Sequence, residues 1–273
     1  MLELPEARVA AKDLQTTILG KTVVDIRGDF TSHKFTFYYE DPEQYKNFIT
    51  GKQITKINER NFYVEIEIED YVLLFRDGAN IRYYDNLQDF PEKSNFLMEF
   101  QDGSFINVTT SMYAFIGVFN KKVGCNNSYY QTELSGIGAL DNEFSLAYFK
   151  KLAASFPKLS IKAFLAAEQR ILGIGNGILQ DILFNAEINP KRKINTLDDY
   201  ALERLYNAIQ STIKKMLELD GRDTEKNIYG NTGKYKTILS SKTYKNGCPK
   251  CHGEIKKEAY LGGSVYYCPT CQK

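Results

Sequence analysis

The sequence predicts an α+β chain of more than one domain: a leading helix and a β-sandwich, then a helical region, then a short C-terminal hairpin. Three observations predict it. Between Lys21 and about Asn120, short runs rich in β-branched and aromatic residues are separated by turn signals. After about Tyr130 the apolar spacing becomes helical. Four of the five cysteines fall in the last 26 residues, as two Cys-x-x-Cys pairs. A chain of 273 residues is long enough for two or three cores, and the expected boundaries are 1–130, 131–234 and 235–273.

The first element is an amphipathic helix in "LPEARVAAKDLQTTILG". Val9, Ala10, Leu14 and Ile18 share one face, Pro5 and Glu6 suit its first turn, and Gly20 suits its end. Strands follow as "TVVDIR", "KFTFYY", "FYVEIEIE", "YVLLF", "IRYY", "FLMEFQ", "SFINVT" and "YAFIGVF". In "FYVEIEIE" the residues Val64, Ile66 and Ile68 alternate with Glu65, Glu67 and Glu69, which predicts one buried and one wet face. Asp77-Gly78 and Asp102-Gly103 read as turns between antiparallel strands. Helices are expected over Leu146 to Phe156, Ile161 to Leu172, Asn176 to Ala186 and Leu197 to Leu219, the last capped by Thr196. The polar, Gly-punctuated stretch from Gly221 to Tyr235 reads as a linker or loop.

Hydrophobic residues make up 43% and charged residues 25%, as in an ordinary globular protein, and no apolar run reaches membrane-spanning length. The start carries acids in place of a basic segment followed by an apolar one, so no secretory signal is expected and the expected location is cytoplasmic. The net charge of +1 is unevenly divided. Residues 1–130 hold 14 Lys+Arg against 19 Asp+Glu (−5), residues 131–230 hold 13 against 13, and residues 231–273 hold 8 against 2 (+6). The C-terminal excess suits a local phosphate-attracting patch, or merely a solvated lysine-rich tail.

Cys248-Pro-Lys-Cys251 and Cys268-Pro-Thr-Cys271 are separated by 16 residues. This spacing predicts one structural Zn²⁺ per chain held by four thiolates, with Gly262-Gly263 near the middle of an intervening hairpin. Four sulfur ligands leave no open position for a catalytic water, so the metal would hold together a hairpin too small to fold unaided. His252 is the alternative ligand, and Cys125 reads as a buried small hydrophobe. In "ILGIGNGILQDILFNAEINP", Gly173 and Gly175 permit close approach of the backbone to a ligand, and Asn176 opens a helix whose first N–H groups suit phosphate. A Gly-x-Gly before a helix also serves many ordinary turns.

"ELPE", "IKAFLAAEQRILGIGN" and "YYCPTCQ" resemble, in that order, landmarks of the formamidopyrimidine-DNA glycosylase and endonuclease VIII family, and the resemblance spans essentially the whole chain. It implies a helical domain with a helix-two-turn-helix element and a C-terminal zinc hairpin. It also implies DNA glycosylase and AP lyase activity in base excision repair, with damaged or abasic duplex DNA bound in a cleft between two domains and the damaged base flipped out. A monomer is expected, with no membrane partner.

By the same resemblance, Glu3 is the catalytic carboxylate and Glu6 the second acid, while Lys162, Gly175 and Asn176 contact the DNA backbone. Read without it, Glu3 is a surface acid, Glu6 a first-turn charge, Lys162 a solvated helix charge and Asn176 a cap. The family's nucleophile is an N-terminal Pro amine, whereas this chain has Met1 followed by Leu2. A large residue at position 2 resists removal of the initiator Met, so the amine expected to react is that of Met1 instead of Leu2. One retained residue moves it by up to ~3.8 Å. Phe62 stands where the family has a phosphate-contacting lysine, and Gly263 near its hairpin arginine. Tyr113 or Phe115 is the candidate wedge for the vacated base space, both reading equally as strand core. These replacements keep two other functions open: a noncatalytic binder of damaged DNA, and a zinc-ribbon protein that binds RNA or protein.

Overall fold

Helix α1 (Leu4–Thr17) forms where Pro5 fits the first turn and Ala7, Ala10, Ala11 and Leu14 favour helix along its buried side. Its apolar face is fully used: Val9, Ala10, Leu14 and Ile18 are 8%, 6%, 0% and 0% exposed. Gly20 follows at φ 81°, the left-handed backbone that releases the chain into the sheet. A computed structural model of the chain describes residues 1–86 and 91–273. It divides into two compact units, Met1–Leu134 with Thr224–Gly233, and Ser135–Asp223 with Lys234–Lys273.

The first unit is built on a seven-stranded sheet. Its strands are β1 (Val23–Gly28), β2 (Thr36–Tyr39), β3 (Ile54–Arg60), β4 (Tyr63–Ile68), β5 (Tyr71–Tyr84), β6 (Phe96–Phe100) and β7 (Phe105–Asn120). The order is β1-β6-β7-β5-β4-β3, with β2 also on β7. Both halves of the long strands β5 and β7 line one core. Ile26, Met98 and Ile106 from one end of the sheet share it with Ile57, Ile66, Phe75 and Val118 from the other. The sandwich is therefore a single sheet bent over itself.

Three expectations change here. Asp77-Gly78 lies inside β5, where the pairing register with β7 shifts between Asp77 and Ala79. Asp77 has φ 58°, and a Cβ on Gly78 would fall on the carbonyl oxygens of Ser111 and Tyr113. The Asp-Gly pair thus makes a bulge that bends the sheet, and "YVLLF" and "IRYY" are one strand, as are "SFINVT" and "YAFIGVF". Strand β2 pairs with β7 in parallel, so the sheet is mixed. The outer face of β4 is also dry at Glu65, 5% exposed, because a second cluster of Phe62, Tyr63, Val72, Leu74, Phe119, Cys125 and Tyr130 covers that side. Glu65 is paired there with Arg60 at 3.0 Å and accepts the Tyr130 hydroxyl at 2.8 Å. Asp102-Gly103 does turn the chain from β6 into β7, with Gly103 at φ 85°.

Two short helices precede the second unit or reach it: α2 (Tyr45–Ile49) and α3 (Ser128–Ser135). The second unit holds α4 (Leu146–Ser155), α5 (Asn176–Asn185), α6 (Asp199–Glu218) and the hairpin β8 (Lys256–Tyr260) and β9 (Gly263–Tyr267). The cap of α6 is Asp198, whose carboxylate accepts the Ala201 N–H at 2.7 Å, and Thr196 instead closes a 3₁₀ turn through the Lys193 carbonyl. Residues 161–172 do not form a continuous helix. A π-helical turn covers Ala163–Ala167, after which Gln169 takes φ 47°. The backbone then pairs elsewhere: Leu172 donates to the Ile137 carbonyl and Ala139 donates to that of Leu172. No helix among the described residues is long and apolar enough to cross a membrane.

Candidate functional site

The chain terminus is pinned to the bulge in β5. Leu2 is 6% exposed in the sheet core, and its N–H donates to the Asp77 carbonyl at 2.6 Å. The nitrogen of residue 2 is thus a hydrogen-bonded amide. The Met1 α-amine lies one residue further out and forms an ion pair with Glu225 at 2.7 Å. Glu3 precedes the first turn of α1 and is 1% exposed, so it is no surface acid, and its carbonyl accepts the Ala7 N–H at 2.9 Å. Glu6 is half-buried in the first turn, where a carboxylate suits the helix dipole.

Around this terminus the sheet carries charge that sequence reasoning missed. Arg76 is 5% exposed, and its guanidinium carbon lies 5.5, 5.0 and 5.4 Å from the ring centres of Phe62, Tyr63 and Tyr129. It also donates to the Tyr63 hydroxyl at 3.2 Å and pairs with Asp77 at 3.5 Å. Phe62 itself is 2% exposed. Burial pushes the nearby Glu133 up to about 7, against the opposing pull of Arg76, Asn61 and Arg60. Tyr113 is 52% exposed and stacks on Phe37 at 6.4 Å, whereas Phe115 packs in the second cluster, so Tyr113 alone of the two wedge candidates is available.

In the second unit, Gly173 has φ 87° and Gly175 is the extended residue that opens α5. Asn176 donates from Nδ2 to the Ser264 carbonyl at 3.1 Å, and Gln180 receives the Tyr266 N–H at 3.0 Å. Lys162 is 2% exposed, with Nζ bonded to the Tyr260 carbonyl and 3.4 Å from that of Gly263. Burial lowers its pKa. Lys162, Gly175 and Asn176 therefore share one neighbourhood with the tip of the β8–β9 hairpin. A side chain at 263 would begin 3.5 Å from Lys162 Nζ, so a cation already occupies that corner.

The hairpin turns at Leu261 and Gly262, φ 47° and 73°, a two-residue turn of the kind that matches strand twist. The sulfurs of Cys248, Cys251, Cys268 and Cys271 lie within 4.8 Å of one another. Two of the separations are 3.7 Å (Cys248–Cys271) and 3.5 Å (Cys251–Cys268). Four thiolates about 2.3 Å from a tetrahedral Zn²⁺ stand about 3.8 Å apart, so the donor set fits a metal ion of that kind. A disulfide demands about 2.05 Å. The exposed His252 is outside the cluster.

The formamidopyrimidine-DNA glycosylase H2TH domain matches residues 136–227. Over its whole length the chain is 28% identical to the formamidopyrimidine-DNA glycosylase of Lactococcus lactis subsp. cremoris, covering 100% of both. It is 24% identical to that of Bacillus cereus over 280 residues. Among solved structures, a complex between the Lactococcus lactis Fpg and DNA containing an abasic site superposes with TM-score 0.85 at 25% identity, covering 99% of each chain. A complex of the wild-type lactococcal protein with DNA containing an oxidised pyrimidine gives 0.84 at 26%. The chain carries this H2TH domain and is similar from end to end to formamidopyrimidine-DNA glycosylases. At the two positions where the resemblance led us to expect a lost cation, another cation lies close by: Arg76 stacks on the Phe62 ring, and Lys162 stands beside Gly263. Arg76 was not legible in sequence because it adjoins a bulge, where alternation no longer tells which face a side chain takes.

Proposed function

We propose that this chain is a DNA-repair protein that binds damaged or abasic duplex DNA and acts as a DNA glycosylase and AP lyase through its N-terminal amine. The observation that carries the reading is end-to-end similarity to a lactococcal Fpg bound to abasic-site DNA, joined to a terminus with an amine and an acidic pair at its start. At an abasic site the sugar aldehyde would condense with the Met1 amine, releasing water and leaving an iminium. Glu3 would move protons and assist opening of the sugar ring, with Glu6 as the second acid. Lys162, Gly175 and Asn176 would shape the surface that receives the backbone phosphates, and Tyr113 would fill the space left by the flipped base.

Cys248, Cys251, Cys268 and Cys271 would hold a structural Zn²⁺, which supplies folding energy to the hairpin when bound. Reduced thiols at these positions and at Cys125 suit a cytoplasmic protein, and a monomer suffices for the chemistry. Incubating the protein with abasic or oxidised-base duplex and borohydride tests the reading. A covalent adduct at the N-terminal peptide is expected. Lesion-selective binding with no adduct, in a folded protein, would overturn the catalytic half and leave a damage binder.

A further inference from the structure

The residues 224–233 return from the end of α6 to the first unit, and they are held there independently of the terminus. Ile228 is 1% exposed in the sheet core, and its carbonyl accepts the Tyr83 N–H at 2.9 Å. The hydroxyls of Tyr229 and Thr17 are bonded to each other, and Arg82 donates to the Lys226 carbonyl at 3.4 Å. Glu225 therefore sits on an anchored segment. Its Oε2 meets the Met1 amine at 2.7 Å, while one residue further along the chain the Leu2 N–H is fastened to the Asp77 carbonyl. Met1 is held from both ends.

From this geometry we infer that Glu225 is the positioning residue for the Met1 amine; the inference rests on the function proposed above. An amine displaced from the family's position by one residue needs a new anchor, because misplacement by about 1 Å costs a reacting group on the order of 10²-fold in rate. Charge conservation makes a carboxylate suitable. Ammonium plus aldehyde gives iminium plus water: the nitrogen gives up two hydrogens, which leave with the carbonyl oxygen, and one C–N double bond replaces the C–O double bond. The nitrogen is cationic before and after, so Glu225 faces a positive charge at both ends of the step. The other charges at this place are Asp77, which feels both the amine and Arg76, and Arg82, which feels Glu225.

The test compares wild type, Glu225→Gln and Glu225→Asp in two reactions. In the first, abasic duplex and borohydride report the positioned amine. In the second, glycolaldehyde and cyanoborohydride at pH 7 report the same amine without DNA, with labelling of Met1 quantified by peptide mass spectrometry against lysine peptides. Positioning predicts that the two reactions respond differently. Glu225→Gln traps abasic DNA at least about tenfold more slowly. Its labelling by glycolaldehyde holds at the wild-type level, because a small free aldehyde reaches the amine without needing it to be positioned. Glu225→Asp recovers part of the DNA reaction. Equal trapping by wild type and Glu225→Gln would overturn the inference alone, as would a parallel loss in both reactions, which marks a structural role. No adduct between wild type and abasic DNA would overturn the catalytic half of the proposed function and the inference with it.

Discussion

Arg76 and Glu133 show how much charge the first unit keeps out of water. Arg76 is stabilised by three aromatic faces and by Asp77, an arrangement that leaves a guanidinium where Phe62 supplies none. Glu133 is 2% exposed, and burial raises it to about 7. The sign follows from proton binding: between about pH 4.5 and 7 the folded state holds a proton that the unfolded chain has released, so stability falls as pH rises through that window. Glu133→Gln should therefore match wild type near pH 4.5 and exceed it at pH 8 by on the order of 2–3 kcal/mol, read from denaturant unfolding at the two pH values. A variant with unchanged pH dependence would show that the carboxyl is charged in the native state. Neither residue announces this in sequence, since a Glu in a short polar helix and an Arg beside a bulge both look solvated.

Among the elements, the C-terminal hairpin has the least core of its own. Two strands of five residues each are marginal in water, and here they are held at one end by the cysteine cluster and along β9 by Asn176 and Gln180 of α5. Cys268→Ser should lower bound zinc well below one per chain, and amide exchange over β8 and β9 should accelerate while the sheet of the first unit keeps its protection. Full protection in a metal-free variant would mean that packing on α5 is sufficient. The cysteine spacing was legible because local sequence dictates it. The break after Ala167 was not, because the apolar spacing of Ile161, Phe164 and Leu165 fits a helix until Leu172 finds a backbone partner at Ile137. In β5 the same limit appears: two strand runs around an Asp-Gly pair look like a hairpin unless the partner strand β7 is known to bend with them.

For the whole molecule, the first unit is made of two stretches of chain far apart in sequence. The residues 224–233 read as a linker because they are polar and rich in turn signals, yet Ile228 completes a core formed by strands more than 100 residues earlier. Ile228→Ala should cost about 2–5 kcal/mol and speed exchange of the Tyr83 amide, whose acceptor is the Ile228 carbonyl. An unchanged unfolding midpoint would show the segment to be dispensable. Sequence by itself determined the leading helix, the strand-rich and helical regions, the four-cysteine hairpin and the family resemblance, because periodicity, caps and ligand spacing act over a few residues. Only the tertiary structure decided that one sheet bends to make the sandwich, that Arg76 lies on Phe62, and that Met1 meets Glu225 across 224 positions of sequence. Those contacts depend on the path of the chain through space, and no local pattern records where distant segments meet.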